Sequence, residues 1–105
     1  MKTKIAHPLE DQINEIAARI GRRVRIARKR RGWTQLLMAE KIGVSAPTYR
    51  DFEAGRVSVS IGLLISAMLV LGVEEELLHL LDPEEDKVGI AAEKRLKRVV
   101  LDNDF

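Results

Sequence analysis

Arg50 and Asp51 stand side by side in Ser45-Ala46-Pro47-Thr48-Tyr49-Arg50-Asp51-Phe52-Glu53-Ala54, a stretch with the length and punctuation of a short helix. At about 100° per residue, Ala46, Pro47, Arg50 and Asp51 share one side of that helix and Ser45, Thr48, Tyr49 and Phe52 share the other. The first set carries the chemistry. A guanidinium pairs through two hydrogen bonds with the O6 and N7 acceptors of guanine, a carboxylate accepts from the N4 amine of cytosine, and small apolar groups fit against a thymine methyl. Arg50 is therefore expected to read a base, Ala46 and Pro47 to touch a methyl group, and Asp51 either to accept from cytosine or to orient Arg50. The second set is expected to face a core.

A reading helix needs a second element that holds it against the nucleic-acid backbone, and the residues just before it supply one. Thr34 is placed to cap a helix in which Leu37, Met38 and Ile42 form the buried side. Gly43 gives the backbone freedom for a sharp corner, Val44 an apolar plug beneath it, and Ser45 the cap of the next helix. Two short helices joined by one tight turn make a helix-turn-helix, and that arrangement implies sequence-specific binding of double-stranded DNA.

Around this core the chain carries Gly21, Arg25, Arg28, Gly32-Trp33-Thr34-Gln35, Ala39, Gly43-Val44-Ser45, Thr48, Glu53-Ala54-Gly55-Arg56 and Leu71-Gly72-Val73 in unbroken register. In these positions it resembles the Xre/Cro family of repressors, departing from the family pattern where Val59 precedes Ser60 in place of a common proline. The resemblance implies an all-α, five-helix lambda-repressor-like domain. It also implies that Gln35 clamps the DNA backbone, assisted by the amides and positive dipole end of its helix. Thr34, Ser45, Arg56 and Arg28 are the further phosphate contacts expected, and Arg28 with Glu53 matches the family's interior ion pair.

Charge is segregated along the chain. From Ile16 to Gly72 eleven bases oppose three acids, a net of +8, whereas Val73 to Asp86 holds seven acids and no base, within an overall charge of +2. A basic body beside an acidic segment suits a protein that holds phosphates on one side only. Other chemistries lack their residues. No cysteine is present, which excludes disulfides and thiolate metal sites and fits a reducing, cytoplasmic setting. Glu74-Glu75-Glu76 and Glu84-Glu85-Asp86 have no calcium-loop spacing, and His7 and His79 have no metal-site context. With no nucleophile and base pair and no glycine-rich phosphate loop, neither an enzyme nor a cofactor is expected. The apolar run Ile61 to Val73 is too short to span a membrane, and Met1-Lys2-Thr3-Lys4 does not open a secretory signal. Four aromatic residues are few for an RNA binder.

Period and punctuation order the rest. Leu9, Ile13, Ile16, Ile20, Val24 and Ala27 predict a long first helix, with Pro8 at its start, a break near Gly21 and a stop at Gly32. Ser60 caps a fourth helix, apolar almost all round and therefore central. Glu74 to Glu76 open a short fifth helix with Leu77, Leu78, Leu80 and Leu81 on its apolar side, ended by Asp82-Pro83. The chain then divides into an extension merging with the first helix (1–15), the DNA-binding domain (16–82), and an acidic linker with a short tail (83–105).

A small core and the symmetry of palindromic operators predict a homodimer through Leu77, Leu78, Leu81, Val99 and Val100. Val99-Val100-Leu101 has strand-like β-branched character, and Phe105 at the end of Asn103-Asp104-Phe105 would fill a partner's pocket. Leu77-Leu78-His79-Leu80-Leu81-Asp82-Pro83, the acidic linker, Gly89 and the basic Lys97-Arg98-Val99 also resemble HipB-like antitoxins, small regulators encoded beside HipA-type kinase toxins, which would add a toxin to the partners. The expected function is an autoregulatory transcriptional repressor. A protein-interaction module on the same fold is the alternative that would not need the basic body.

Overall fold

The computed structural model describes residues 8–100, with only the backbone at position 100. These residues fold into helices α1 (Glu10–Arg30), α2 (Gln35–Ile42), α3 (Ala46–Glu53), α4 (Ile61–Leu71), α5 (Glu75–Leu78) and α6 (Lys87–Val100), with a 3-10 turn at Pro83–Glu85. No strand occurs among the described residues, so the all-α class holds. Two compact units divide at Glu74 and Glu75.

In the first unit, local chemistry sets the ends of each short helix. Thr34 Oγ1 accepts from Leu37 N at 3.1 Å, Ser45 Oγ from Thr48 N at 3.3 Å and Ser60 Oγ from Leu63 N at 3.1 Å, so all three predicted caps satisfy an otherwise orphaned amide. At the corner between α2 and α3, Gly43 takes φ +87°, a left-handed conformation that side-chain-bearing residues rarely adopt. Val24 of α1, Met38 and Ala39 of α2, Tyr49 and Phe52 of α3, and Leu63, Ala67 and Leu71 of α4 pack as one core. Arg31 links α1 to α4, with Nη1 donating to Ala27 O and Nη2 to Leu71 O, both at 2.7 Å.

Helix α1 runs unbroken through Gly21, where a break was expected. The glycine serves contact between helices rather than a kink: a Cβ there would collide with the Glu53 carbonyl oxygen at the end of α3. Gly55, at φ +82°, repeats the arrangement one step on, since a Cβ would lie 2.7 Å from the Ala18 Cα. Helix α4 is central on one side only, because Ile61, Ile65 and Leu69 remain exposed. Leu37, expected inside, is exposed as well, and Ala39 occupies the buried place. An apolar groove of about 380 Å³ runs between α1 and the chain joining α3 to α4, lined by Ile13, Ile16, Ile20, Val57, Val59 and Ile61 among others.

The second unit departs further from expectation. α5 is a single turn, and Leu81 follows it at φ 56°, left-handed, before Asp82, whose extended ψ of 120° is the geometry a following proline demands. Residues 87–100 form α6 where a tail with strand-like Val99-Val100 was expected. Asp86 Oδ1 caps the new helix by accepting from Gly89 N at 2.9 Å, and Glu93 pairs with Lys97 at 3.5 Å one turn on. Ala91 to Arg98 are good helix formers, and their summed propensity outweighs two β-branched residues in the last turn. Leu101 and the Asn103-Asp104-Phe105 end lie outside the described residues.

Candidate nucleic-acid interface

Helix α3 divides by face much as its sequence requires. Pro47, Arg50 and Asp51 are exposed, Ala46 is half-buried, and Tyr49, Phe52 and Glu53 are buried. Thr48 and Ser45 correct the expected division, because both lie exposed instead of facing the core. Their hydroxyls meet, Ser45 Oγ donating to Thr48 Oγ1 at 2.8 Å while also capping the helix. The outer face therefore presents a guanidinium, a carboxylate, a proline ring and a hydroxyl along two turns. Among the described residues no ion pair ties Asp51 to Arg50, which leaves both free toward a ligand.

Beneath this face lies one carboxylate with four donors. Arg28 Nε donates to Glu53 Oε2 at 2.6 Å and Arg28 Nη2 to Oε1 at 3.1 Å, a two-pronged ion pair with side chains 7% and 3% exposed. The Tyr49 hydroxyl donates to Oε2, and Gln35 Nε2 donates to Oε1 at 3.0 Å. Arg28 Nη1 turns instead to the Trp33 carbonyl oxygen at 2.7 Å. One acid thus joins α1, α2 and α3 and fixes how the two helices of the motif meet.

The electrostatics follow from these bonds. Burial by itself would raise the Glu53 carboxyl, but the hydrogen bonds from Arg28, Tyr49 and Gln35 outweigh it and hold the group below the ordinary carboxylate value. Arg28 is raised above its ordinary value, chiefly by its hydrogen bonds to Glu53. Burial, then the bond to Glu53, pushes the Tyr49 hydroxyl well up. The cluster is a charged pair at neutral pH with a neutral phenol donating into it.

The expected phosphate contacts separate on this geometry. Thr34, Ser45 and Arg56 are exposed near the ends of α2 and α3. Gln35 is half-buried, and its bond to Glu53 leaves one amide N–H and the carbonyl oxygen for a ligand. Arg28 does not join them: it is buried with all three nitrogens committed, so of its two expected roles only the interior pair remains. Arg22, Arg23, Arg25, Lys29 and Arg30 stay exposed along α1, whereas Arg31 is spent on the end of α4 and Arg19 pairs with Glu15 at 3.6 Å.

Sequence reasoning missed the inward bonds of Gln35 and Tyr49. Tyr49 and Glu53 lie one turn apart, a spacing that signals contact on a helix, but nothing local tells a phenol to point at a carboxylate. Trp33 is half-buried against the core with Lys41 Nζ 4.5 Å from its ring centre. Of the residues expected at a dimer interface, Leu78, Leu81 and Val99 are exposed and Leu77 is half-buried, while the Val100 side chain lies outside the described residues.

A family model described as a helix-turn-helix domain matches residues 19–81, more than half of the chain and the whole of the site just described. No curated protein and no solved structure gives a match.

Proposed function

Because the chain belongs to the helix-turn-helix domain family, we propose that it is a sequence-specific transcriptional repressor that binds a palindromic operator as a homodimer and controls its own operon. The observation that carries this reading is the division of α3: an outer face with no side-chain bond to α1 or α2, above an inner face locked to the scaffold through Glu53. Preorganised donors over a rigid support are what base readout in a major groove requires. Arg50 reads a guanine, Ala46 and Pro47 meet apolar base edges, and Asp51 accepts from a base amine. Thr48, exposed beside them, joins this set. Gln35, Thr34, Ser45 and Arg56 grip the phosphates on either side, and the free bases of α1 extend the positive field.

The test is affinity for operator DNA against salt. Binding is expected to fall log-linearly as salt rises, through release of counterions from the phosphates. A folded protein with a flat salt response overturns the reading and leaves the protein-interaction module in its place.

The resemblance of the chain's end to HipB-like antitoxins supports a second reading, in which the same repressor also neutralises a HipA-type kinase. Capture of the neighbouring gene's product by the full chain tests it, and a neighbour that neither binds nor encodes a kinase removes it.

A further inference from the structure

The second unit holds no buried residue among the described ones. Leu78, Leu80, Leu81, Val88, Leu96 and Val99 are between half and nine-tenths exposed along only 26 residues. A segment of this size with no interior of its own does not hold a fold in water, and a helix the length of α6 is marginal without packing. Something must cover it. At roughly 100 Å² of apolar surface for each large aliphatic side chain, these six supply about the apolar share of one side of a standard protein interface.

Charge says what that cover is. Glu75 to Asp86 carries six acids and no base, while α6 carries Lys87, Lys94, Arg95, Lys97 and Arg98 against Glu93 alone. On α6, Val88, Ala92, Leu96 and Val99 fall within one arc, with Arg95 at its edge and Lys94 and Arg98 behind. Each copy thus contains both an acidic, leucine-bearing half and a basic, valine- and leucine-bearing half. In a two-fold dimer, whatever one copy offers meets the complementary part of its mate, and the reverse contact forms automatically.

We propose that the second unit is the dimerisation module, in which α6 of each copy docks antiparallel on the acidic α5-to-3-10 segment of the other, apolar stripe against leucines and Arg95 at the stripe's edge against acids. The proposal rests on the dimeric part of the function given above and specifies its surface. Exchange of this kind buries both stripes, sets Arg95 of each copy against the acids of the other, and is weakened by salt. It leaves the basic α1 and the outer face of α3, which lie in the other unit, to the DNA.

Sedimentation of the full chain tests the arrangement. The wild type is expected to be a dimer that loosens in high salt. A chain with Glu75→Lys, Glu84→Lys and Glu85→Lys, and a second with Arg95→Glu, should each lose about tenfold or more in dimer affinity, because like charges then face each other. An equimolar mixture of the two should recover dimers, since both contacts become complementary again in the mixed species. Circular dichroism and the thermal transition of each variant report that the first unit remains folded. Leu96→Asp should also dissociate the wild-type dimer.

A monomeric wild type overturns the proposal. So does a dimer untouched by either charge reversal, or reversals that dissociate without recovery on mixing, which would place α6 on another surface such as the exposed Ile61, Ile65 and Leu69 stripe of α4. Salt-sensitive retention on duplex DNA is measured in parallel. Loss of the dimer arms with DNA retention intact refutes only the docking mode, and absent DNA retention refutes the repressor reading itself.

Discussion

Replacing Glu53 by glutamine changes neither the volume nor the shape of the side chain, so it isolates what the charge and its acceptors contribute. The carboxylate accepts four hydrogen bonds, two from Arg28 and one each from Tyr49 and Gln35, in a site where the Glu53 side chain is 3% exposed. A glutamine offers one oxygen and turns an NH₂ toward the remaining donors, so at least two bonds fail and the Arg28 cation stays buried without a counter-charge. Bonds to charged groups contribute about 1.5–3 kcal/mol each, and stranding one partner of a buried pair costs about 3–5 kcal/mol. The two routes agree on about 3–5 kcal/mol. For a domain whose whole stability is of the order of 5–15 kcal/mol, that is a large fraction, and it should lower the urea midpoint by about 1 M or more. Urea unfolding of the wild type, Glu53→Gln, Arg28→Met and the double variant measures it. The double should cost less than the sum of the singles, because removing both partners leaves no stranded charge. Single variants that unfold at the wild-type midpoint, or a double that is strictly additive, would refute the claim that these groups act as one buried unit.

Other expectations concern pH, packing and recognition. Glu53 is held below its ordinary value, so its contribution is fully present above pH 4.5 and is lost as pH falls through the depressed folded value; a thermal melt series from neutral to acid pH should show that loss, and Glu53→Gln should flatten it. Tyr49 is displaced upward, so its contribution is complete below pH 10 and is lost as pH rises beyond, a limb that Tyr49→Phe should abolish in alkaline melts. Gly21→Ala should destabilise by about 1–3 kcal/mol or more by calorimetry, because the added methyl meets backbone that cannot swing aside. In operator-binding assays, Arg50→Ala should relax preference at one base position at a cost of about 1–3 kcal/mol, whereas Gln35→Ala should weaken all sequences alike.

The motif was legible because its signals are local. Thr34, Ser45 and Ser60 cap whatever helix follows them, Gly43 permits its corner wherever the chain goes, and angle alone sets Arg50 and Asp51 outside and Tyr49 and Phe52 inside, though it misplaces Ser45 and Thr48. What escaped depends on partners distant in sequence. Gly21 reads as a helix breaker until α3 is seen to lie against it, and Arg31 reads as one more charge of the basic body until Leu71 offers a carbonyl forty residues away. Gln35 turned inward for the same reason, since Glu53 lies eighteen residues on. In the second unit the β-branched pair at 99 and 100 suggested a strand, but a good cap and eight helix-favouring residues before it had already committed the segment to a helix.

The two-faced build of α3 bears on how such a chain can diversify. Pro47, Thr48, Arg50 and Asp51 hold none of the bonds that anchor α3 to α1 and α2, so exchanging them taxes folding by only about half a kcal/mol apiece. After gene duplication, two copies could therefore drift to separate operators through a handful of codons, each intermediate remaining a folded protein. Arg28, Gln35, Tyr49 and Glu53 have no such latitude, because each of the three donors bonds the Glu53 carboxylate and a change at Glu53 strands all of them. New addresses in the genome would be acquired by rewriting one strip of surface while the lineage inherits the same interior unchanged.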